Sequence, residues 1–383
     1  MKGQSIFIIL IMVMIGSKNY AQSTNTNVNR IPLSSLHSFH QLPDAVSWGL
    51  GDGGVSNEDA MGFSSNVAKA FFLGRNKTGL SFNYAPHESR LIRGQKYMQL
   101  AGVTRIDTTT VIFYQIFNFK NLSSELRDEN GILLGEQTGN DLNIKAGVTK
   151  HLGNNWVLGV GLGYYQSQVL SQSYRVAKGV TIDIGMTKSF LQYKDTLSSY
   201  YDYGTIGASI SNFGGKVNYG DNKDYSFAPV RFRGGYTHTV RREDLKHKFM
   251  LEISKDLVPT PLKENYEDKG SFAYIFTSWA DAPFKEEIQE IRWHLGYQLT
   301  YKEVFDARVG FLHENKYKGD KRALTFGLGY NGFKIDENPL KLDVGFGIRL
   351  GSGYTPTFKL ALAFFFAKKE EYKEKRSGYG ETF

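Results

Sequence analysis

From about Lys77 to Ala367 the sequence alternates with a period of two, and the two rows it defines differ in kind. In LKLDVGFGIRL, Leu340, Leu342, Val344, Phe346, Ile348 and Leu350 form one row, and Lys341, Asp343, Gly345, Gly347 and Arg349 the other. NWVLGVGLGY sets Trp156, Leu158, Val160, Leu162 and Tyr164 against Val157, Gly159, Gly161 and Gly163. IRWHLGYQLTY, TIGASISNF and TFKLALAFFF behave in the same way. Side chains alternate across a strand, so each segment carries one broad apolar face and one face of glycine and charge. A two-layer soluble sandwich would have to expose those wide apolar rows or bury them twice over. A closed barrel in a membrane has no such conflict, because the apolar row meets hydrocarbon and the other row meets a wet or plugged lumen. The best segments run about 9–11 residues, the length a tilted strand needs to cross a bilayer.

Roughly a dozen to sixteen such segments can be counted, without long amphipathic helices between them, which excludes alternating strand–helix folds. The one predicted helix is PFKEEIQEIR, Pro283 to Arg292, and no repeat of solenoid period occurs. Tyr164, Tyr301 and Tyr330 fall at strand ends, where interfacial aromatic girdles sit. Composition agrees: 41 Gly, 23 Tyr and 27 Phe against 9 Pro favour strands and turns. A mean hydropathy of −0.36 argues against a helical membrane bundle and suits a barrel whose every second residue faces a polar lumen. The expected fold is all-β, a transmembrane antiparallel barrel.

The expected organisation has four parts. Residues 1–21 read as a secretory signal peptide: Lys2 precedes the apolar run IFIILIMVMI, too short to span a bilayer, and cleavage is expected after Ala21. Residues 22–76 lack sustained alternation and contain GDGGVSNEDA (Gly51 to Ala60), read as turns packed against something larger. Residues 77–367 form the barrel, and the charged residues 368–383 a periplasmic tail. With no Cys, neither a lipid anchor at a mature N-terminus nor a disulfide framework is available. A formal net charge of +8 reads as solvated loop and tail cations, compatible with anionic headgroups or acidic partners; nucleic acid is not an expected partner. Long polar loops are expected over Ser123–Asp141 and between LVPTP (Leu257 to Pro261) and Asp281.

Several stretches carry more than periodicity. GDGGVSNEDA, ISNFGGKVNY (Ile210 to Tyr219), LVPTP, DAPFKEEIQEI (Asp281 to Ile291) and ENKYKGDKRALTFGLGY (Glu314 to Tyr330) together resemble the PorV proteins of the type IX secretion system. These are outer-membrane barrels of Bacteroidota, built like the FadL transporters. The resemblance implies about 14 strands with an N-terminal plug. It further implies binding to the giant translocon barrel protein, reception of cargo through its C-terminal signal domain, and delivery to the surface attachment (sortase) complex. Contact with outer-membrane lipid or lipopolysaccharide goes with that location. Partner-binding loops are then expected at Asp281, Pro283, Phe284 and Lys285 and at Glu314, Asn315, Lys316, Tyr317 and Lys318, with Gly51, Asp52, Gly53 and Asn66 as the plug motif. Ser65-Asn66-Val67-Ala68 stands where the family carries Trp-Asn-Pro-Ala, and Pro86-His87-Glu88 where it carries Pro-Trp-Leu. A divergent paralogue fits those departures. The FadL architecture also allows a second function, transport of hydrophobic small molecules.

No enzymatic chemistry is expected. HExxH, G-x-S-x-G and P-loop motifs do not occur, and the absence of Cys removes thiol chemistry. His37 and His40 are three apart, but two imidazoles without a third ligand make poor evidence for zinc, and no metal or cofactor is expected. His294, beside Arg292 in the lumen row, reads as a polar lining residue. Glu286 and Glu287 are adjacent and would point apart on a helix, so they form no acid–base dyad.

Overall fold

Fourteen strands close on one another with every neighbouring pair antiparallel. The computed structural model describes residues 31–58, 63–73, 77–86, 95–127, 133–168, 176–195, 200–220, 225–261, 272–335, 338–350 and 357–367. The signal peptide and the charged tail expected from the sequence lie outside the described residues. In chain order the strands are β1 (Lys77–Pro86), β2 (Lys96–Arg105), β3 (Thr110–Arg127), β4 (Leu133–Gly153), β5 (Trp156–Gln168), β6 (Ala177–Asp195) and β7 (Tyr200–Phe213). A two-stranded ribbon, β8 (Val217–Asn218) with β9 (Tyr225–Ser226), follows. Then come β10 (Arg231–Arg242), β11 (Leu245–Asp256), β12 (Arg292–Tyr301), β13 (Phe305–His313), β14 (Ala323–Ile335), β15 (Asn338–Arg349) and β16 (Thr357–Ala367). The ring shuts between β1 and β16, from Lys77 opposite Ala367 to Tyr84 opposite Leu360. Closure leaves no strand edge to expose unmet backbone donors and acceptors, which a bilayer would punish.

The two rows fall where alternation places them. Leu158, Val160, Leu162 and Tyr164 of β5 and Leu324, Phe326 and Leu328 of β14 are exposed on the outside. Val157, Thr325, Gly327 and Gly329 are buried on the inside. Short turns such as Asn154–Asn155 and Glu243–Asp244 mark the periplasmic end, and the longer connections 214–230 and 257–291 the extracellular end.

Two expectations about length change. Ser123–Asp141 is mostly strand: β3 and β4 pair from Thr110 opposite Lys150 to Arg127 opposite Leu133, with register shifts after Lys120 and Leu126. Its polar residues can continue the ladder because cross-strand hydrogen bonding is indifferent to side chain once the strand leaves the lipid. The expected helix shortens to Phe284–Gln289, and brief helices also form at Ala45–Gly49, Ala70–Leu73 and Ala273–Thr277.

The described part of the N-terminal segment lies against the inward row, and the glycines there leave it room. A Cβ added to Gly310 would come within 2.1 Å of Gly51 N, one on Gly207 within 2.3 Å of Val55 O, and one on Gly159 within 2.6 Å of Ala68 N. Gly51 itself has φ +75, a left-handed conformation that a side chain would strain. Its amide donates to Thr325 Oγ1 at 3.0 Å, and its carbonyl accepts from His294 Nδ1 at 2.8 Å. His294 therefore secures the segment and is not a residue of an open lumen.

The firmest anchor is Glu252, which is wholly buried. Its carboxylate accepts from Gly54 N at 2.6 Å, from Val55 N at 2.9 Å and from Arg233 Nη1 at 2.6 Å. Arg233 Nη1 also donates to the Asp52 carbonyl at 3.0 Å. Asn66 caps the turn at Val67–Lys69 through Ala68 N and donates Nδ2 to Val55 O at 2.8 Å and Met186 O at 3.1 Å. Of the expected motif residues, Gly51, Asp52 and Asn66 make hydrogen bonds along this seam. Removing one member of a buried ion pair strands the other, at about 3–5 kcal/mol. Glu252→Ala is accordingly expected to lower stability by about that amount and to open the 50–58 stretch to protease, as read by unfolding in detergent and limited proteolysis. Unchanged protection would show that the segment is held elsewhere.

Candidate functional site

The extracellular rim above β11 to β14 is built from charges that alternation sends to both sides of the wall. Asp256 and Arg292 face inward, and Arg292 Nη2 donates to Asp256 Oδ2 at 2.7 Å. Arg231, opposite Asp256 in the β10–β11 register, donates Nε to its other oxygen at 2.6 Å. Arg292 also donates Nε to Glu314 Oε1 at 2.5 Å. Lys255 sits one residue off this row, on the outer side, where an ammonium would meet the membrane boundary.

The DAPFKEEIQEI segment covers it. Lys255 Nζ donates to Glu287 Oε2 at 2.8 Å and to Glu290 Oε2 at 2.5 Å. Glu290 Oε1 accepts from Thr260 Oγ1 at 2.6 Å and from Lys318 Nζ at 2.8 Å. Lys318 Nζ also donates to Glu286 Oε1 at 2.7 Å. Glu286 and Glu287 do point apart, each to its own lysine. Two motifs that are distant in sequence are joined in one charge-knit rim.

That knitting sorts the expected site residues. Glu314 and Lys318 are 2% and 5% exposed, and both are engaged in holding the rim together. Pro283, Phe284, Lys285, Lys316 and Tyr317 are exposed, and Asp281 and Asn315 are half-buried. Phe284 and Ile288, four apart on one helical face, are 79% and 47% exposed while the opposite face is committed to Lys255 and Lys318. Nearby in the chain, Phe272, Phe276 and Trp279 are exposed as well. Phe272 stacks on Phe213 at 5.8 Å, and Trp279 lies edge-on to Phe232 at 5.3 Å. Tyr274, between them, points the other way and donates its hydroxyl to Gly214 O at 3.0 Å. Sequence reading located the two motifs but missed Lys255, Thr260 and Arg231. The available signal was a run of charged residues at the extracellular ends of β10 to β12.

His37 and His40 form a 3-10 turn with ring centroids 6.5 Å apart. Among the described residues no cluster of three metal-binding side chains is found. His40 is buried, and desolvation first, then the Arg231 charge, hold its imidazole well below the ordinary 6.5, with Asp256 acting in the opposite direction.

The fold and this rim define an outer-membrane β-barrel, with the described part of the N-terminal segment against its inward row. The model of the family described as "Type IX secretion system protein PorV" matches residues 25–263, and the chain belongs to that family. No curated protein matches the sequence. Among solved structures it is similar to the TodX monoaromatic hydrocarbon channel deltaS2 mutant at 12% identity, covering 85% of this chain and 99% of that one, TM-score 0.50. It is also similar to the Pseudomonas putida toluene transporter TodX at 12% identity, covering 88% and 99%, TM-score 0.46. A Pseudomonas aeruginosa FadL homologue follows at 8% identity, 85% and 98% coverage and TM-score 0.41. At these identities the likeness concerns the fold.

Glu290→Gln is expected to loosen the rim without opening the barrel: amide exchange at 284–291 should rise while the strands stay protected. Equal protection in the variant would remove Glu290 from the centre of the network. For His40 the unfolded chain takes up a proton near pH 6.5 while the folded protein does not. The stability it contributes is therefore complete above that pH and is lost as pH falls toward the folded-state value. Lowering the pH from about 7.5 to about 5 should lower the unfolding midpoint, and His40→Gln should lose part of that drop.

Proposed function

We propose that this chain is a translocon-binding component of the type IX secretion system. In this reading its rim docks against the giant translocon barrel protein, and cargo arrives by its C-terminal signal domain before delivery to the surface attachment complex. The observation that carries the reading is the apolar face of Phe284 and Ile288, presented outward by a helix whose other face is locked to Lys255 and Lys318. A six-residue helix has no stability of its own. Four ion pairs holding it in place with its largest apolar side chain in the open make sense for a surface that meets another protein. Family membership supplies the partner's class. The reading needs no catalytic group, cofactor or metal.

A second reading, passage of a hydrophobic small molecule, is favoured by one feature. A cavity of about 380 Å³ lies at the periplasmic end, lined by Phe71, Phe72, Val157, Phe190, Tyr201 and Tyr203 among others. The two readings separate in one experiment. Tagged protein purified from native membranes should bring down a very large barrel and exported cargo. The Phe284→Glu, Ile288→Glu double variant should lose that barrel at least about tenfold while still folding, since neither side chain is buried. Undiminished recovery would move the docking surface elsewhere. A lone barrel carrying bound lipid would favour passage.

A further inference from the structure

A second polar centre lies between the N-terminal segment and the extracellular half of the wall. It is a cavity of about 30 Å³ bordered by His40 and Trp48 on one side and by Arg231, Arg292 and Arg349 on the other. Lys321 and Arg322 border it too, and among the described residues Asp52 is its one carboxylate. The acids just behind it are already engaged: Asp256 with Arg231 and Arg292, Glu314 with Arg292, Asp320 with Arg322. Asp52 is shared with Lys359 at 3.7 Å and Arg233 at 3.9 Å. Among the described residues the lining therefore carries more cations than carboxylates.

Among the described residues, three nitrogens of side chains bordering this cavity are buried without a hydrogen-bond partner: Trp48 Nε1, Arg292 Nη1 and His40 Nε2. Trp48 and His40 are 3% and 7% exposed. Indole and guanidinium nitrogens can only donate, and imidazole Nε2 donates in one of its tautomers. A buried donor without an acceptor is costly, and three on residues that border one cavity call for an acceptor there.

We propose that this cavity binds a small oxyanion of carboxylate or phosphate type. A metal cation is the wrong sign for the lining. An alkyl chain is too large for a space that holds two or three water positions at about 10–15 Å³ each. The anion would accept from Trp48 and His40 of the N-terminal segment and from Arg292 of β12, and so bridge the segment to the wall. The site is separate from the outward apolar face and does not depend on the docking proposal.

The test uses the full chain purified in uncharged detergent. Sodium phosphate and sodium acetate are titrated against sodium chloride at matched ionic strength, following the unfolding midpoint and the heat of binding. A saturable rise is expected with at least one oxyanion. Trp48→Phe, which removes the N–H and keeps an aromatic ring, and Lys321→Met, which removes a charge from a loop, should each weaken it about tenfold. Dodecyl phosphate forms a further arm. A response to inorganic phosphate or acetate alone identifies a free anion, and an added response to dodecyl phosphate identifies a lipid headgroup as a competent source; both support the site. A shift no larger than that with chloride, or one unchanged in both variants, overturns the proposal and leaves ordered water in the cavity.

Discussion

Everything in this molecule depends on filling a fourteen-stranded ring. Closure satisfies the backbone of the wall, but a ring of that size encloses more space than its own inward side chains can occupy. The chain fills part of it with its N-terminal segment, which brings further buried backbone amides and carbonyls that need partners. Glu252, Arg233, His294, Thr325 and Asn66 provide those partners. The inward glycines then become intelligible. Some of them mark where backbone lies against backbone, as at Gly310 beside Gly51 and Gly207 beside Val55.

The same logic runs up to the rim. Arg231 donates Nη1 to the His40 carbonyl at 2.9 Å and Nε to Asp256, Asp256 accepts from Arg292, and Arg292 donates to Glu314. One chain of charge-assisted bonds therefore links the N-terminal segment to the loop after β13. Buried pairs of this kind contribute little net stability against apolar replacements, because desolvation offsets attraction. Their effect is to define one arrangement of the rim and to hold a very short helix at a fixed place on the outer wall.

Much of the barrel was legible because period-2 alternation is a local property that survives in any context. Leu324, Phe326 and Leu328 could be assigned to the outside from the sequence, and they lie there. The length of β3 and β4 was not legible, because a polar strand beyond the bilayer looks like a loop until its partner is seen. At the rim, Glu314 and Lys318 read like surface residues since charge in a loop is usually solvated. Only the approach of Arg292 and of the Phe284–Gln289 helix shows that both are buried. Phe284, expected in a partner-binding loop, does lie open, at 79% exposure.

The sequence alone determined that this chain makes alternating strands with lipid-facing and lumen-facing rows, because each residue's side of a strand follows from its position. It also carried the motif wording that marks the family. Tertiary structure decided which strand closes the ring, how the N-terminal segment threads past glycines hundreds of residues away, and which charges meet. Those outcomes depend on distances between residues that are remote in the chain, and ion pairing acts over a few ångströms, which no local pattern encodes.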